Sequence, residues 1–205
     1  MCNYYGVNKK EKGIELKFNA KFDQQGFEPM QEVNGFSHPF MPIIVDKRPD
    51  IITGANWGLL PTWAKDTSFQ KNTLNARIET LDEKPSFRNS INNRCLVPAS
   101  HFFEWHWNDE KGKVKQKYQI SVADEELFAF AGLYSVWNNP QNGQQMLTYT
   151  ILTTEANELM AEIHNNKKRM PVVLNSEHHN LWLQGENIKT FAFPYQSNLV
   201  ANPVP

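Results

Sequence analysis

Cysteine is scarce in this chain: Cys2 and Cys95 are the only two in 205 residues. That is too few for a disulfide framework, and neither sits in the paired spacing of a zinc site, so reduced thiols and no metal or cofactor are expected. Long hydrophobic runs are also missing. Nothing of signal-peptide length opens the chain, and no stretch approaches the ~18 apolar residues of a membrane span, so the expectation is a cytoplasmic protein without membrane contact. Neither sign of charge dominates, since 21 Lys+Arg against 22 Asp+Glu leave a net charge of -1. The molecule as a whole therefore exerts no pull on nucleic acid, and any such partner requires a local basic patch. With no repeat, no low-complexity tract and no Pro/Gly/Ser linker, the length predicts one domain over 1–205, read as a monomer.

Short β-branched and apolar runs recur at PIIV (42–45), QISV (119–122), LFAFAGLYSVW (127–137) and MLTYTILT (146–153). Each is bounded by Asn, Pro, Gly or charge, which is the pattern of strands separated by turns. Helical signals are fewer. Thr154 is a candidate cap for EANELMAEIH, where Ala156, Leu159, Met160 and Ile163 share one face. Asn175 or Ser176 is a candidate cap for a segment carrying His178, His179, Leu181 and Trp182, and the closing ANPVP should be extended. The prediction is an α+β domain with a mainly antiparallel, barrel-like β core flanked by a few helices. Trp57, Trp63, Trp137 and Trp182 are assigned to that core, and Cys95 reads as a small buried hydrophobe.

Cys2 follows Met1 directly, so removal of Met1 would expose an N-terminal 1,2-aminothiol. An α-amine titrates at about 7.7–8.0 and a lysine at about 10.4, so at neutral pH the terminal amine is by far the better Schiff-base nucleophile. The adjacent thiol could then add to the imine and close a five-membered thiazolidine.

Seven further segments stand in order along the chain: WGLLPTWAKD (57–66), LNARIETL (74–81), KPSFR (84–88), RCLVPASHFFEW (94–105), AGLYSVW (131–137), TILTTEAN (150–157) and RMPVVL (169–174). Together with Met-Cys, this set resembles the motifs of the SRAP family, also called SOS-response-associated peptidase. The resemblance implies a DNA-damage protein that crosslinks to abasic sites in single-stranded DNA through a thiazolidine, shields the lesion, and carries possible AP lyase and autoproteolytic activity. It implies association with the nucleoid when DNA is bound. Carried over by position, Cys2 is the nucleophile, and Asn75 lies near its amine and the sugar. Glu104 moves protons during attack and imine formation. His164 helps open the deoxyribose and assists reversal or strand scission. Arg77 and Arg88 hold phosphates, and Trp105 lies beside displaced bases. These roles are chemically coherent, because ring opening and loss of water need two proton carriers, and a carboxyl among Phe102, Phe103, Trp105 and Trp107 could have a raised pKa.

Other readings stand beside these. Glu104 could be a partly exposed strand residue, His164 a surface residue at a helix end, and Arg77 a partner of Glu79 or Asp82. Lys111, Lys113, Lys115 and Lys117 alternate, either as a phosphate-facing stripe or as guards of a sheet edge. Lys167, Lys168 and Arg169 form a second basic cluster, with Lys168 and Arg169 taken as DNA contacts. Three departures from the family pattern are plain: Asn3 and Tyr4 follow Cys2 in place of Gly-Arg, AsnAsnLysLys separates His164 from Arg169, and the usual Asn-x-Ala-Pro segment is altered to VNGFSHPFMP (33–42). Two alternative functions remain open, an N-terminal-nucleophile cysteine hydrolase and a non-catalytic reader of single-stranded DNA.

Overall fold

A computed structural model describes residues 2–205, so the removal of Met1 lies outside the described residues. In the first half of the chain the strands are β1 (Tyr4–Val7), β2 (Lys21–Phe22), β3 (Met30–Asn34), β4 (Phe40–Val45), β5 (Ile51–Trp57), β6 (Asn75–Arg77) and β7 (Arg94–Ala99). The second half contributes β8 (His101–Trp107), β9 (Lys115–Val122), β10 (Phe128–Asn138), β11 (Gln145–Glu155), β12 (Arg169–Pro171), β13 (Val173–Leu174) and β14 (Leu199–Val204). Three short helices accompany them, α1 (Glu11–Phe18), α2 (Glu158–Ile163) and α3 (His179–Leu183).

Five strands close a ring. β11 pairs with β10, β10 with β7, β7 with β4 and β4 with β5, and a parallel contact of β5 with β11 at Asn56↔Thr148 and Trp57↔Tyr149 completes the circuit. Closure leaves these strands without free edges, which suits the long apolar runs of β10 and β11. The second sheet has the order β14-β9-β8-β1-β3. Chain passes from barrel to sheet between β7 and β8 at Ser100, whose N–H donates to Gly6 O at 2.8 Å. The α+β, barrel-like expectation holds, with the predicted runs at 42–45, 119–122, 127–137 and 146–153 falling on β4, β9, β10 and β11.

The core is aromatic where the two sheets meet. Tyr5 packs edge-on to Trp57 at 5.0 Å and to Phe130 at 5.7 Å, while Trp57 stacks on Tyr149 at 6.2 Å. Their polar tips are satisfied inside: the Tyr5 and Tyr149 hydroxyls share a 2.8 Å hydrogen bond, and Trp57 Nε1 donates to Leu74 O. Burying such rings with their donors paired retains the hydrophobic gain without a desolvation penalty.

Several local expectations are corrected. Trp63 is 49% exposed, resting on Phe69, because Nε1 donates outward to Pro85 O. Thr154 does not cap a helix. The β-branched run carries β11 through it, and Asn157, accepting from Met160 N, caps α2 instead. Neither Asn175 nor Ser176 caps α3 with its side chain; a 3-10 turn over 176–178 intervenes, and Asn175 Oδ1 accepts from Ser197. Lys111 and Lys113 lie in the turn before β9, so only Lys115 and Lys117 share a strand face, and β9 lies between β8 and β14, which removes the edge-guard reading. The last residues are extended, as β14.

His179 stacks on Phe18 and is held neutral by burial, its pKa lowered from 6.5 to about 4, with the Lys17 ammonium adding to the effect. Because the folded value lies below the unfolded one, the unfolded chain takes up the proton first. Stability is full above pH 6.5 and falls as pH drops towards 4, by on the order of 2–3 kcal/mol from this group. His179→Phe, which keeps the stack, should reduce the acid loss measured by urea unfolding at pH 7.5 and 4.5; an undiminished loss would show that His179 is not the buried titrant.

Candidate active site

The site is built on a strand in the middle of a sheet. β1 pairs on one side with β3, Tyr4↔Asn34, and on the other with β8, Tyr4↔Phe103, so main-chain hydrogen bonds fix the residues just before it. Cys2 is completely buried there, its thiol directed at Tyr4 O at 3.9 Å. Burial first, and the Glu104 carboxylate second, push the thiol well above its ordinary pKa, so it is an S–H group at neutral pH.

Side chains alternate along β8. Phe102 and Glu104 point to the core face, both nearly fully buried, while Phe103, Trp105 and Trp107 take the other. Period-two alternation thus puts one carboxylate among apolar residues, beside Cys2.

His164 follows α2 as its C-cap, the backbone N–H donating to Met160 O at 2.8 Å. Its Nε2 faces Glu104 Oε2 at 3.9 Å, and its Nδ1 lies 2.9 Å from Arg169 O and 3.2 Å from Arg169 N. The carbonyl contact calls for an Nδ1–H and the amide contact for a bare Nδ1, so the two select opposite tautomers. In the form whose Nδ1–H donates to Arg169 O, Nε2 is the basic nitrogen. Burial lowers the imidazole pKa against the opposing pull of Glu104, so His164 is neutral at pH 7.

The inserted loop after His164 is stapled down. Asn165 accepts from Trp107 N at 3.0 Å and donates to Trp107 O at 2.9 Å, and His106 Nδ1 meets Glu162 O at 2.7 Å. Glu104 and His164 form the floor of an open cleft of about 330 Å³. Asn3, Tyr4 and Trp105 wall it, and Trp107, Lys115, Asn166 and Lys167 extend it outward. Lys115 lies over Trp107 and Lys117 over Phe103 and Trp105, within cation–π range, and Lys117 also pairs with Glu32.

Asn75, on β6, donates from Nδ2 to Asn3 Oδ1 at 3.0 Å, while its own Oδ1 is buried with no hydrogen-bond partner among the described residues. Arg77 is exposed two residues further along the same strand. Arg88 is exposed in the turn over 88–90, which packs on β10, and no described contact joins it to Cys2. Lys168 is exposed in the left-handed conformation, φ 48°. Arg169 departs from the predicted basic cluster: it is 8% exposed and bidentate to Glu79, at 3.1 and 2.8 Å. The pairing considered for Arg77 thus belongs to Arg169, because β12 lies beside β11 and directs the guanidinium inward. Cys2, Asn75, Glu104, Trp105 and His164, scattered over the sequence, converge. Asn3, Glu79 and Asn165 were not foreseen; only Glu79, inside the NARIET segment, left a signal.

A thiol, a carboxylate and an imidazole gathered around one cleft are the residue types that nucleophilic and acid–base chemistry uses. The chain belongs to the SOS response associated peptidase (SRAP) family, whose model matches residues 1–205. It is 44% identical over 190 residues to the abasic site processing protein YoqW of Bacillus subtilis (strain 168), a match covering 91% of this chain and 82% of that one. It is 31% identical over 155 residues to the abasic site processing protein HMCES of Gallus gallus, covering 64% of this chain and 44% of the longer relative. A crystal structure of a Bacteroides thetaiotaomicron protein, 33% identical, superposes with a TM-score of 0.90 over 100% of this chain and 92% of that one. No helix among the described residues is long and apolar enough to cross a membrane.

The shared carboxylate gives a directional test. A negative charge beside an imidazole favours its protonated form, so Glu104→Gln should lower the His164 pKa further below 6.5. Histidine NMR titration reads this directly; an upward shift or none would mean that Glu104 does not act on the ring.

Proposed function

We propose that this protein captures abasic sites in single-stranded DNA covalently, through the amine and thiol of Cys2 after Met1 is removed. The observation that supports this most is the burial of Cys2 beside Glu104, which together with His164 lines a cleft walled by Asn3, Tyr4 and Trp105.

The closed deoxyribose first opens, with neutral His164 Nε2 taking the proton of the anomeric hydroxyl and a proton returning to the ring oxygen. The Cys2 amine then attacks the aldehyde carbon. The Glu104 carboxylate takes a proton from the attacking nitrogen and hands it to the carbinolamine hydroxyl, which leaves as water and gives an imine. Sulfur adds last: the thiol is held as S–H, so as the C–S bond forms its proton passes to the imine nitrogen by way of Glu104, and the thiazolidine closes with all atoms conserved. Asn75 orients Asn3 and the sugar. His164 also serves the reverse direction and any strand scission.

Affinity for the strand comes from a few cations, Arg77, Arg88, Lys167 and Lys168, with Lys115 at the rim; Arg169 is withdrawn from this set because it is paired inside. Trp105 offers a flat surface to an unpaired base, an interaction of about 1–3 kcal/mol. The protein acts as a monomer without a cofactor, in the cytoplasm and on the nucleoid when DNA is bound.

Abasic oligonucleotides resolved on denaturing gels test the reading. Wild type should leave a band that survives boiling in detergent. Cys2→Ala should lose it while retaining a weak imine that borohydride traps, and an uncleavable N-terminal extension should abolish both. A crosslink from protein whose blocked N-terminus is verified by mass spectrometry would overturn the mechanism.

Glu104→Gln should slow crosslinking roughly 100-fold with DNA affinity nearly intact, since acid–base help is worth about that much. Equal loss of binding and rate would instead indicate a structural role.

Three to five phosphate contacts predict a log–log salt slope of about -2 to -3.5 on single strands. Internal duplex sites should react more slowly, because unstacking costs a few kcal/mol. Equal rates on both substrates, or a flat salt response, would eliminate the phosphate-binding groove.

A further inference from the structure

We infer that a groove between β2, β3 and the β4–β5 hairpin docks a short extended segment of a partner protein, one that carries an apolar anchor beside lysine or arginine. The ring is sealed by a contact only two residues long, so one interval of β5 beside it is left uncovered. On that side β5 meets β11 at Asn56 and Trp57 and β2 at Ile51 and Ile52, and neither ladder among the described residues reaches Thr53, Gly54 or Ala55. Alternation along the strand decides which way these main-chain groups face. Trp57 N–H donates to Pro39 O on the β4 side, whereas Ile52 O accepts from Asp23 N on the β2 side, so odd positions of β5 face β4 and even ones face away. Gly54 N–H and C=O therefore point into the uncovered interval. A donor and an acceptor presented together on a strand edge are what an extended peptide uses to add itself to a sheet.

The surface beside Gly54 is apolar and already shaped. Phe22, Phe27, Met30, Phe40 and Pro42 line a cavity of about 360 Å³, with Met30 38% and Phe40 61% exposed. Phe22 and Phe27 stack at 5.9 Å, and the loop between them is held by Glu11, whose Oε1 accepts from Gly26 N at 2.6 Å and from Phe27 N at 2.7 Å. Phe40 lies across Gly54, where a Cβ would come within 2.1 Å of the ring. Glycine thus lets the ring lie flat, yet most of Phe40 still faces water. Apolar side chains fixed in the open around a cavity mark a contact surface.

Charge selects the occupant. The ionised groups lining the groove are Asp23 and Glu28, both exposed, and no Lys or Arg lines it. A DNA strand would bring phosphates against two carboxylates, whereas a basic segment meets attraction. The groove shares no lining residue with the cleft of Glu104 and His164, so both can be filled at once and the inference does not depend on covalent capture.

Random decapeptides displayed on phage and panned on the full chain supply the probe. The enriched sequences should share an apolar residue next to Lys or Arg. The best of them, synthesised and titrated into nitrogen-15-labelled protein, should shift the amides of Gly54, Phe27 and Met30 and leave His164 unmoved. Met30→Glu should weaken it about tenfold or more, the loss expected when an anchor's pocket is spoiled. Asp23→Lys with Glu28→Lys should weaken it similarly and favour a version of the peptide with glutamates in place of its cations. Crosslinking of an abasic oligonucleotide should proceed at the same rate with the peptide at saturation. Failure to enrich any sequence over a blank surface, shifts centred elsewhere, or undiminished binding to Met30→Glu would overturn the inference. So would a single-stranded oligothymidylate that shifts Gly54 where the peptide does not, or a peptide that slows the crosslink, since either result would give the groove to DNA.

Discussion

Everything at the site depends on the pairing of β1 between β3 and β8. A nucleophile near a chain terminus would ordinarily be loose, because terminal residues lose more entropy on ordering than a few contacts return. Here two ladders of main-chain hydrogen bonds, one on each side, supply that return and set the height of Cys2 relative to Glu104 on the neighbouring strand. Gly6 is part of the device: a Cβ there would come within 2.4 Å of Gln31 O and 2.5 Å of His101 Nε2. Any side chain at that position would push β1 out of register and displace Cys2 with it.

Burial also keeps the Cys2 thiol and the His164 imidazole uncharged. Burial lowers the affinity of His164 for a proton and raises that of Cys2, so one physical cause gives a neutral base and a neutral thiol. Glu104 modulates both. A thiolate held in this apolar setting would be costly, and the S–H form avoids that.

The sequence was most legible where local pattern and tertiary role agree. β4, β9, β10 and β11 are β-branched runs bounded by turn formers, and their burial in a closed barrel follows the same apolar content that announced them. Cys2, Asn75 and Glu104 were legible through the ordered motifs, since each sits in a segment whose neighbours also pack the core. The failures have a common origin in pairings between distant residues. Arg169 looked like a surface cation beside two lysines, and only the adjacency of β12 and β11 reveals Glu79 as its partner. Trp63 was placed in the core by its size, yet a nearby carbonyl drew its N–H to the surface. Thr154 has good capping chemistry, but strand pairing extended β11 past it. Helix α1 left little trace, because Ile14 is its only buried residue and Gly13 interrupts the pattern.

The order of strands in the second sheet has a consequence for biosynthesis. β1 is made first, but its partner β8 lies about a hundred residues later, and the sheet is finished only when β14 pairs with β9. On a ribosome β1 can therefore pair first with β3, about thirty residues on, while its other edge stays open until β8 has been synthesised. Cys2 thus meets Glu104 on β8 only after about half of the chain has been made.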